Sequence, residues 1–178
     1  RRQRQMCIRD RYMTWQILDS NYEQAKITVI GVGGGGGNSV HHMIKSDIKG
    51  VEFICANTDS QDLTKIHKAK KIKLGEEFTK GLGAGNDPEK GRVATELSIS
   101  EIRDALENTE MLFIVAGMGG GTGTGGSPVI AKVAKELGIL TVAVVTTPFK
   151  YEQEKRAEQA RAGISKLMQN VDSCIEID

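Results

Sequence analysis

Residues 117–126 read GMGGGTGTGG, with seven glycines in ten positions, between the apolar run MLFIVA at 111–116 and a segment of helical apolar spacing at 128–137. A strand that empties into glycines and then a helix gathers bare N–H groups and the positive end of a helix dipole around one point. Such a point binds anions, phosphate above all. Glycine suits it because a chain without Cβ takes positive φ and approaches a ligand closely. A flexible linker would use the same residue types. Linkers do not usually separate a buried strand from an apolar-striped helix by so few residues.

A second unit of the same kind lies nearer the start. Residues 26–32, KITVIGV, have the look of a strand buried on both faces. They lead into Gly33, Gly34, Gly35, Gly36, Gly37 and Asn38, after which Val40, Met43 and Ile44 predict a helix over 39–45. Gly31, Gly33 and Gly36 fit G-x-G-x-x-G, a dinucleotide fingerprint that is weak on its own. Residues 51–56 read as the next strand, ending at Asn57-Thr58-Asp59. Thr58 and Asp59 suit helix capping, which is compatible with a place for Asp59 near a phosphate or its magnesium shell.

Further along, 71–74 reads as a short strand, 79–88 as a third glycine-bearing loop with Gly81, Gly83 and Gly85, and 88–108 as one helix with Pro88 in its first turn. Gly138 is placed to end a helix. Residues 139–146 form the most strand-like run, stopped at Thr147-Pro148. A polar helix over 150–169 and a last strand over 171–177 complete the series. This alternation predicts an α/β fold, a Rossmann-like parallel sheet with helices on both faces and ligands beyond the carboxyl ends of the strands. All three glycine loops fall at that edge.

The length of 178 residues suits one domain rather than two. No apolar run approaches the roughly 20 residues that cross a bilayer, so no direct membrane insertion is expected. Cys7, Cys55 and Cys174 are few and scattered, and the three histidines lack ligand spacing. Neither a disulfide framework nor a protein metal site is expected, and a reducing compartment is. The opening RRQRQMCIRDRYM, residues 1–13, belongs to no periodic pattern and is set apart as a non-native or disordered tail. Its readings are an arginine-rich tail, part of a transit peptide, or a translated sequencing adapter at 6–11. Without it 19 basic and 22 acidic residues remain, a balance of −3 that leaves no footprint for nucleic acid. Residues 14–25 are read as an N-terminal extension and 26–178 as the nucleotide-binding domain.

Neither main glycine loop contains Gly-Lys-Ser/Thr, so no P-loop lysine is available. Phosphate charge must be met by backbone N–H groups, helix ends, a metal ion and an arginine. A nicotinamide-dependent oxidoreductase needs only the first loop and an acidic residue about 20 positions on, and gives the second loop no purpose.

GGGTGTG at 119–125, GVGGGGGN at 31–38, NTD at 57–59 and VAVVTTPF at 142–149 together resemble the tubulin/FtsZ GTPase superfamily, in particular its bacterial cell-division branch, over residues 26–178. The resemblance implies a GTPase that polymerises head to tail with copies of itself in the cytoplasm at the mid-cell division site, hydrolysing GTP where subunits meet. It implies GTP or GDP as ligand, with Mg2+ accompanying GTP. Gly34, Gly35, Gly36, Gly37 and Asn38 would hold the diphosphate, and Gly121, Thr122 and Gly123 would wrap the phosphates from the other side. Ala84 and Gly85 would lie at the γ-phosphate, and Thr146 and Pro148 would border the ribose. Thr122 has a second role open to it as a helix cap.

Glu152 and Arg156 match a pair that contacts the nucleotide, whereas spacing alone favours a surface i,i+4 bridge of about 0.3–0.5 kcal/mol. Asn86 and Asp87 stand where the family usually has alanine and asparagine, and Asp87 is expected to face solvent. The guanine-reading asparagine, the catalytic acidic loop and the regions that bind other division proteins would all fall beyond Asp178. No catalytic residue is therefore expected within the chain, which reads as a truncated domain. Besides the oxidoreductase, a non-hydrolysing tubulin-like assembly protein is the other alternative.

Overall fold

The β-branched runs become six strands of one sheet in the computed structural model, which describes residues 25–149 and 154–177. They are β1 Ile27–Val32, β2 Val51–Asn57, β3 Lys70–Lys73, β4 Met111–Gly117, β5 Leu140–Thr146 and β6 Ser173–Ile177. All pair in parallel, in the order β3-β2-β1-β4-β5-β6. Parallel neighbours need crossovers, and seven helices supply them: α1 Gly33–Lys45, α2 Ser60–Thr64, α3 Glu76–Thr79, α4 Pro88–Leu97, α5 Ile99–Ala105, α6 Thr122–Glu136 and α7 Glu154–Met168. The Rossmann-like arrangement expected from the sequence is the one observed.

Side-chain alternation along the central strands divides the interior in two. Ile30, Ile114 and Val145 point into one core with Ala94 of α4, Ile102 of α5, Ile130 of α6 and Ile164 of α7. Val29, Cys55 and Val115 point into the other with Val40 of α1 and Leu63 of α2. Both faces of the sheet are covered, which is why the central strands read as apolar without a polar face. Sequence direction reverses between β1 and β4, which pair Ile27 with Met111 and Val32 with Ala116. The carboxyl ends of these two strands therefore open a crevice at the topological switch point.

Three details differ from the sequence reading. Helix α1 begins at Gly33 rather than residue 39, and α6 at Thr122 rather than residue 128, so most of the expected loop glycines are helical. Packing overrides propensity here: a methyl on Gly36 would run into the carbonyl oxygen of Val115, and one on Gly125 into that of Pro88. The helix expected over 88–108 breaks at Ser98, where the hydroxyl accepts from the N–H of Gly75 at 3.0 Å and donates to the carbonyl of Lys73 at 3.4 Å. The third glycine loop does not leave a strand directly, because α3 intervenes after β3.

Gly36 sets the distance between α1 and the switch-point strands. Gly36→Ala is expected to lower unfolding free energy by about 1–3 kcal/mol through overpacking, measured by denaturant titration. An unchanged midpoint would show that α1 shifts freely.

Candidate phosphate-binding cleft

At the crevice above β1 and β4 lies a cleft of about 490 Å³. Its floor is the start of α1, with Gly33, Gly34 and Gly35; its opposite wall is Gly120, Gly121, Thr122 and Gly123 at the start of α6. Thr146 at the end of β5, Pro148 and Phe149 just after it, and Arg156 of α7 close one side. The size falls within the range of small-molecule sites.

The first four N–H groups of a helix have no partner within it. Helices α2 and α4 answer that need with aspartates: Asp59 Oδ1 accepts from Gln61 N–H at 2.8 Å and Asp62 N–H at 3.4 Å, and Asp87 Oδ1 accepts from Glu89 N–H at 2.9 Å. Helices α1 and α6 receive no side-chain cap, and neither has an acidic residue in its first turn. Each of the other five helices does. The two ends with no acidic residue in their own first turn are the two that face the cleft, and the carboxylate that comes close to α1 is that of Asp62 on α2, 3.3 Å from a Cβ built on Gly34.

They also press close together. A Cβ built on Gly33 would sit 3.0 Å from the nitrogen of Gly123, and one on Gly35 would sit 3.3 Å from Cα of Gly117. Backbones at this separation direct two half-charges of the same sign into one volume, which an anion compensates. The turn between β4 and α6 is pinned by two bonds, Met118 N–H to the carbonyl of Thr146 at 2.9 Å and Gly119 N–H to Thr124 Oγ1 at 2.8 Å.

Of the residues singled out from sequence, Gly34, Gly35, Gly121, Thr122, Gly123, Thr146, Pro148 and Arg156 line this cleft together. Gly36 is buried beneath it against Val115, while Gly37 and Asn38 line an adjoining crevice with His41, Asn57 and Asp62. That crevice shares Gly33 and Gly34 with the cleft as lining residues. Ala84 is buried beside Gly121, with its Cβ 2.9 Å from a Cβ built there, and Gly85 is exposed; neither lines the cleft. Asp59 stands at the α2 cap. Glu152 lies outside the described residues, as do residues 1–13 and most of the proposed extension.

Two readings of individual side chains change. The Thr122 hydroxyl is no helix cap, because it is hydrogen-bonded to Thr58 Oγ1 at 2.6 Å in a buried position. Asp87 does not simply face solvent: it is half-buried and caps α4. The residue before it, Asn86, takes φ 61°, a left-handed conformation that asparagine tolerates. Gly117, Met118, Gly120, Thr147 and Phe149 also line the cleft; they fall within the 117–126 and 142–149 motifs but were given no individual role. Their signal was membership of those motifs rather than residue type.

The cap assigns Asp87 a measurable share of stability. Asp87→Ala is expected to cost about 1 kcal/mol in chemical denaturation and Asp87→Asn much less, since asparagine caps nearly as well. Equal losses would mean that the carboxylate charge, not the cap bond, matters.

Residues 26–178 match the model of the Tubulin/FtsZ family, GTPase domain. The chain is 55% identical over 163 residues to the cell division protein FtsZ of Coxiella burnetii, covering 92% of this chain and 42% of that protein. It thus spans about two fifths of the length of this curated relative. Among solved structures, an empty FtsZ dimer from M. jannaschii superposes with a TM-score of 0.84 at 44% identity, over 86% of this chain and 45% of that one. A GTPγS-bound protofilament of CetZ2 from Haloferax volcanii gives 0.79 at 26% identity, over 86% and 49%. A cleft between two uncapped helices, on a sheet of this order and with these motifs, belongs to a known lineage: this chain is a member of the tubulin/FtsZ family, matching its GTPase domain over residues 26–178.

Proposed function

We propose that the chain is the phosphate-holding part of a cell-division protein that binds GTP, polymerises head to tail with copies of itself and hydrolyses the nucleotide between subunits. The observation that carries this reading is the convergence of two uncapped, acid-free helix N-termini on one cleft. Amides at Gly34, Gly35 and Gly36, continued by Gly37 and Asn38, hold the diphosphate from one side. Gly121, Thr122 and Gly123 hold the phosphates from the other. Ala84 and Gly85 meet the γ-phosphate, Thr146 and Pro148 border the ribose, and Arg156, with Glu152, contacts the nucleotide.

GTP and GDP are the proposed ligands. Mg2+ enters with GTP, held by phosphate oxygens and water, as this ion ordinarily is. Asp59 takes both cap bonds on Oδ1, which leaves Oδ2 for that water shell. The guanine-reading asparagine and the catalytic acidic loop are proposed to lie in sequence beyond Asp178, where other division proteins are also bound. Two related structures, an FtsZ dimer and a CetZ2 protofilament, support self-association. No helix among the described residues is long and apolar enough to cross a membrane, in keeping with a proposed cytoplasmic place at the division site. Nucleic acid is not a proposed partner. The domain is proposed to occupy residues 26–178, with 14–25 an extension and 1–13 foreign to it.

Family membership leaves the oxidoreductase alternative without support, although its fingerprint has a physical basis: a methyl on Gly31 would collide with the carbonyl of Gly36. The fingerprint glycines allow close packing of helix on strand, which both kinds of site require.

Gly120 tests the electrostatics without disturbing the packing, since a Cβ there meets nothing within 4 Å. In the full-length protein, Gly120→Asp is expected to leave stability equal or slightly raised. It should weaken GTP binding at least tenfold in a fluorescence titration, while Gly120→Asn has a much smaller effect. Equal affinities for all three would remove the anion site.

Hydrolysis is tested separately by phosphate release from the full-length protein. Specific activity should be near zero when dilute and rise with concentration, because the site is completed by a neighbour. Filaments without phosphate release would favour the non-hydrolysing alternative.

A further inference from the structure

We infer that Thr58 is a positioning residue that fastens the loop over residues 80–87 to the first turn of α6, so that the loop and the α6 wall of the cleft move as one. This rests on the reading of the cleft as a nucleotide site and deepens it, by assigning the coupling between the proposed γ-phosphate loop and the phosphate-holding helix to one side chain.

Thr58 is 2% exposed and uses three bonds in two directions. Its hydroxyl pairs with Thr122 Oγ1 at 2.6 Å, across 64 residues of sequence. Its carbonyl accepts from Gly83 N–H at 3.1 Å and from the Thr79 hydroxyl at 3.4 Å. Flanking bonds register the same loop: Ser60 N–H donates to the carbonyl of Gly81 at 3.1 Å, and Asp59 forms a bridge with Leu82. On its far side the loop lies against Gly121, where an added Cβ would come within 2.9 Å of the Asp87 nitrogen. The loop is therefore gripped at Gly83 through Thr58 and at Asp87 against Gly121, and both grips lead to the N-terminus of α6.

Capping does not require this arrangement. Asp59, not Thr58, caps α2, and Thr122 caps nothing. One hydroxyl of the buried pair donates to the other, and that bond holds only while Thr58, with the loop on its carbonyl, keeps its present spacing from α6. A γ-phosphate that draws Ala84 and Gly85 inward pulls on Gly83 and, through Thr58, on Thr122. Loss of the pair separates these movements, which affects a triphosphate more than a diphosphate.

The test uses the full-length protein with Thr58→Val, Thr58→Ser, Thr122→Val and the double valine variant. Thr58→Val is expected to weaken GTP about tenfold and GDP less than threefold, with Thr58→Ser close to the parent. The double variant should be no weaker than the worse single one. GTP affinity unchanged in Thr58→Val, equal losses for GTP and GDP, or failure of serine to rescue would each overturn the proposal. A second measurement needs no nucleotide: hydrogen exchange over residues 79–87 in Thr122→Val. The proposal expects faster exchange there, although Thr122 is distant in sequence, and parent-like exchange would refute it. Should the parent not bind GTP at all, the proposed function fails while the exchange result still decides the coupling.

Discussion

Two helix N-termini directed at one volume repel each other, and the rest of the cleft is organised by that conflict. Each carries roughly half a positive charge on N–H groups that its own helix cannot satisfy. Proteins usually resolve this with an aspartate or serine, and this chain does so at α2 and α4. At α1 and α6 it does not. In the proposed reading this unresolved charge supplies the binding energy: an anion with several oxygens would satisfy both helices at once, and the helix ends stand in for the P-loop lysine that neither main glycine loop contains.

Such convergence requires backbones closer than ordinary side chains allow. Glycine is spent on that proximity more than on flexibility. Gly36 lies beneath α1 against β4, Gly123 lies against the carbonyl of Gly117, and Gly91 brings α4 onto Gly121. The consequence is a rigid rim, in which the starts of α1, α4 and α6 are mutually fixed. Rigidity of this kind is what preorganised charge stabilisation requires, since donors already in place need no reorganisation when charge arrives.

The architecture was legible because parallel strands covered on both faces leave long β-branched runs, such as 26–32 and 139–146, that few other structures explain. The cleft was legible from its glycine runs. Their conformation was not, since helix propensity reads glycine as a breaker and the contacts that overrule it come from β4 and α4, far away in sequence. The break at Ser98 was hidden for a similar reason, its partners being Gly75 and Lys73. Asp87, expected to face solvent, instead accepts from the bare N–H of Glu89 two residues on. The Thr58–Thr122 bond joins residues that local patterns cannot connect.

If the cleft works through unsatisfied helix ends, affinity must reside in the phosphate tail. Calorimetric titration of the full-length protein with guanosine, GMP, GDP and GTP tests this most directly. The account predicts that guanosine and GMP bind weakly and that affinity rises at least a hundredfold on reaching GDP. Guanosine binding as tightly as GDP would contradict it, because the base would then carry the energy and the two converging helices would have no role in binding.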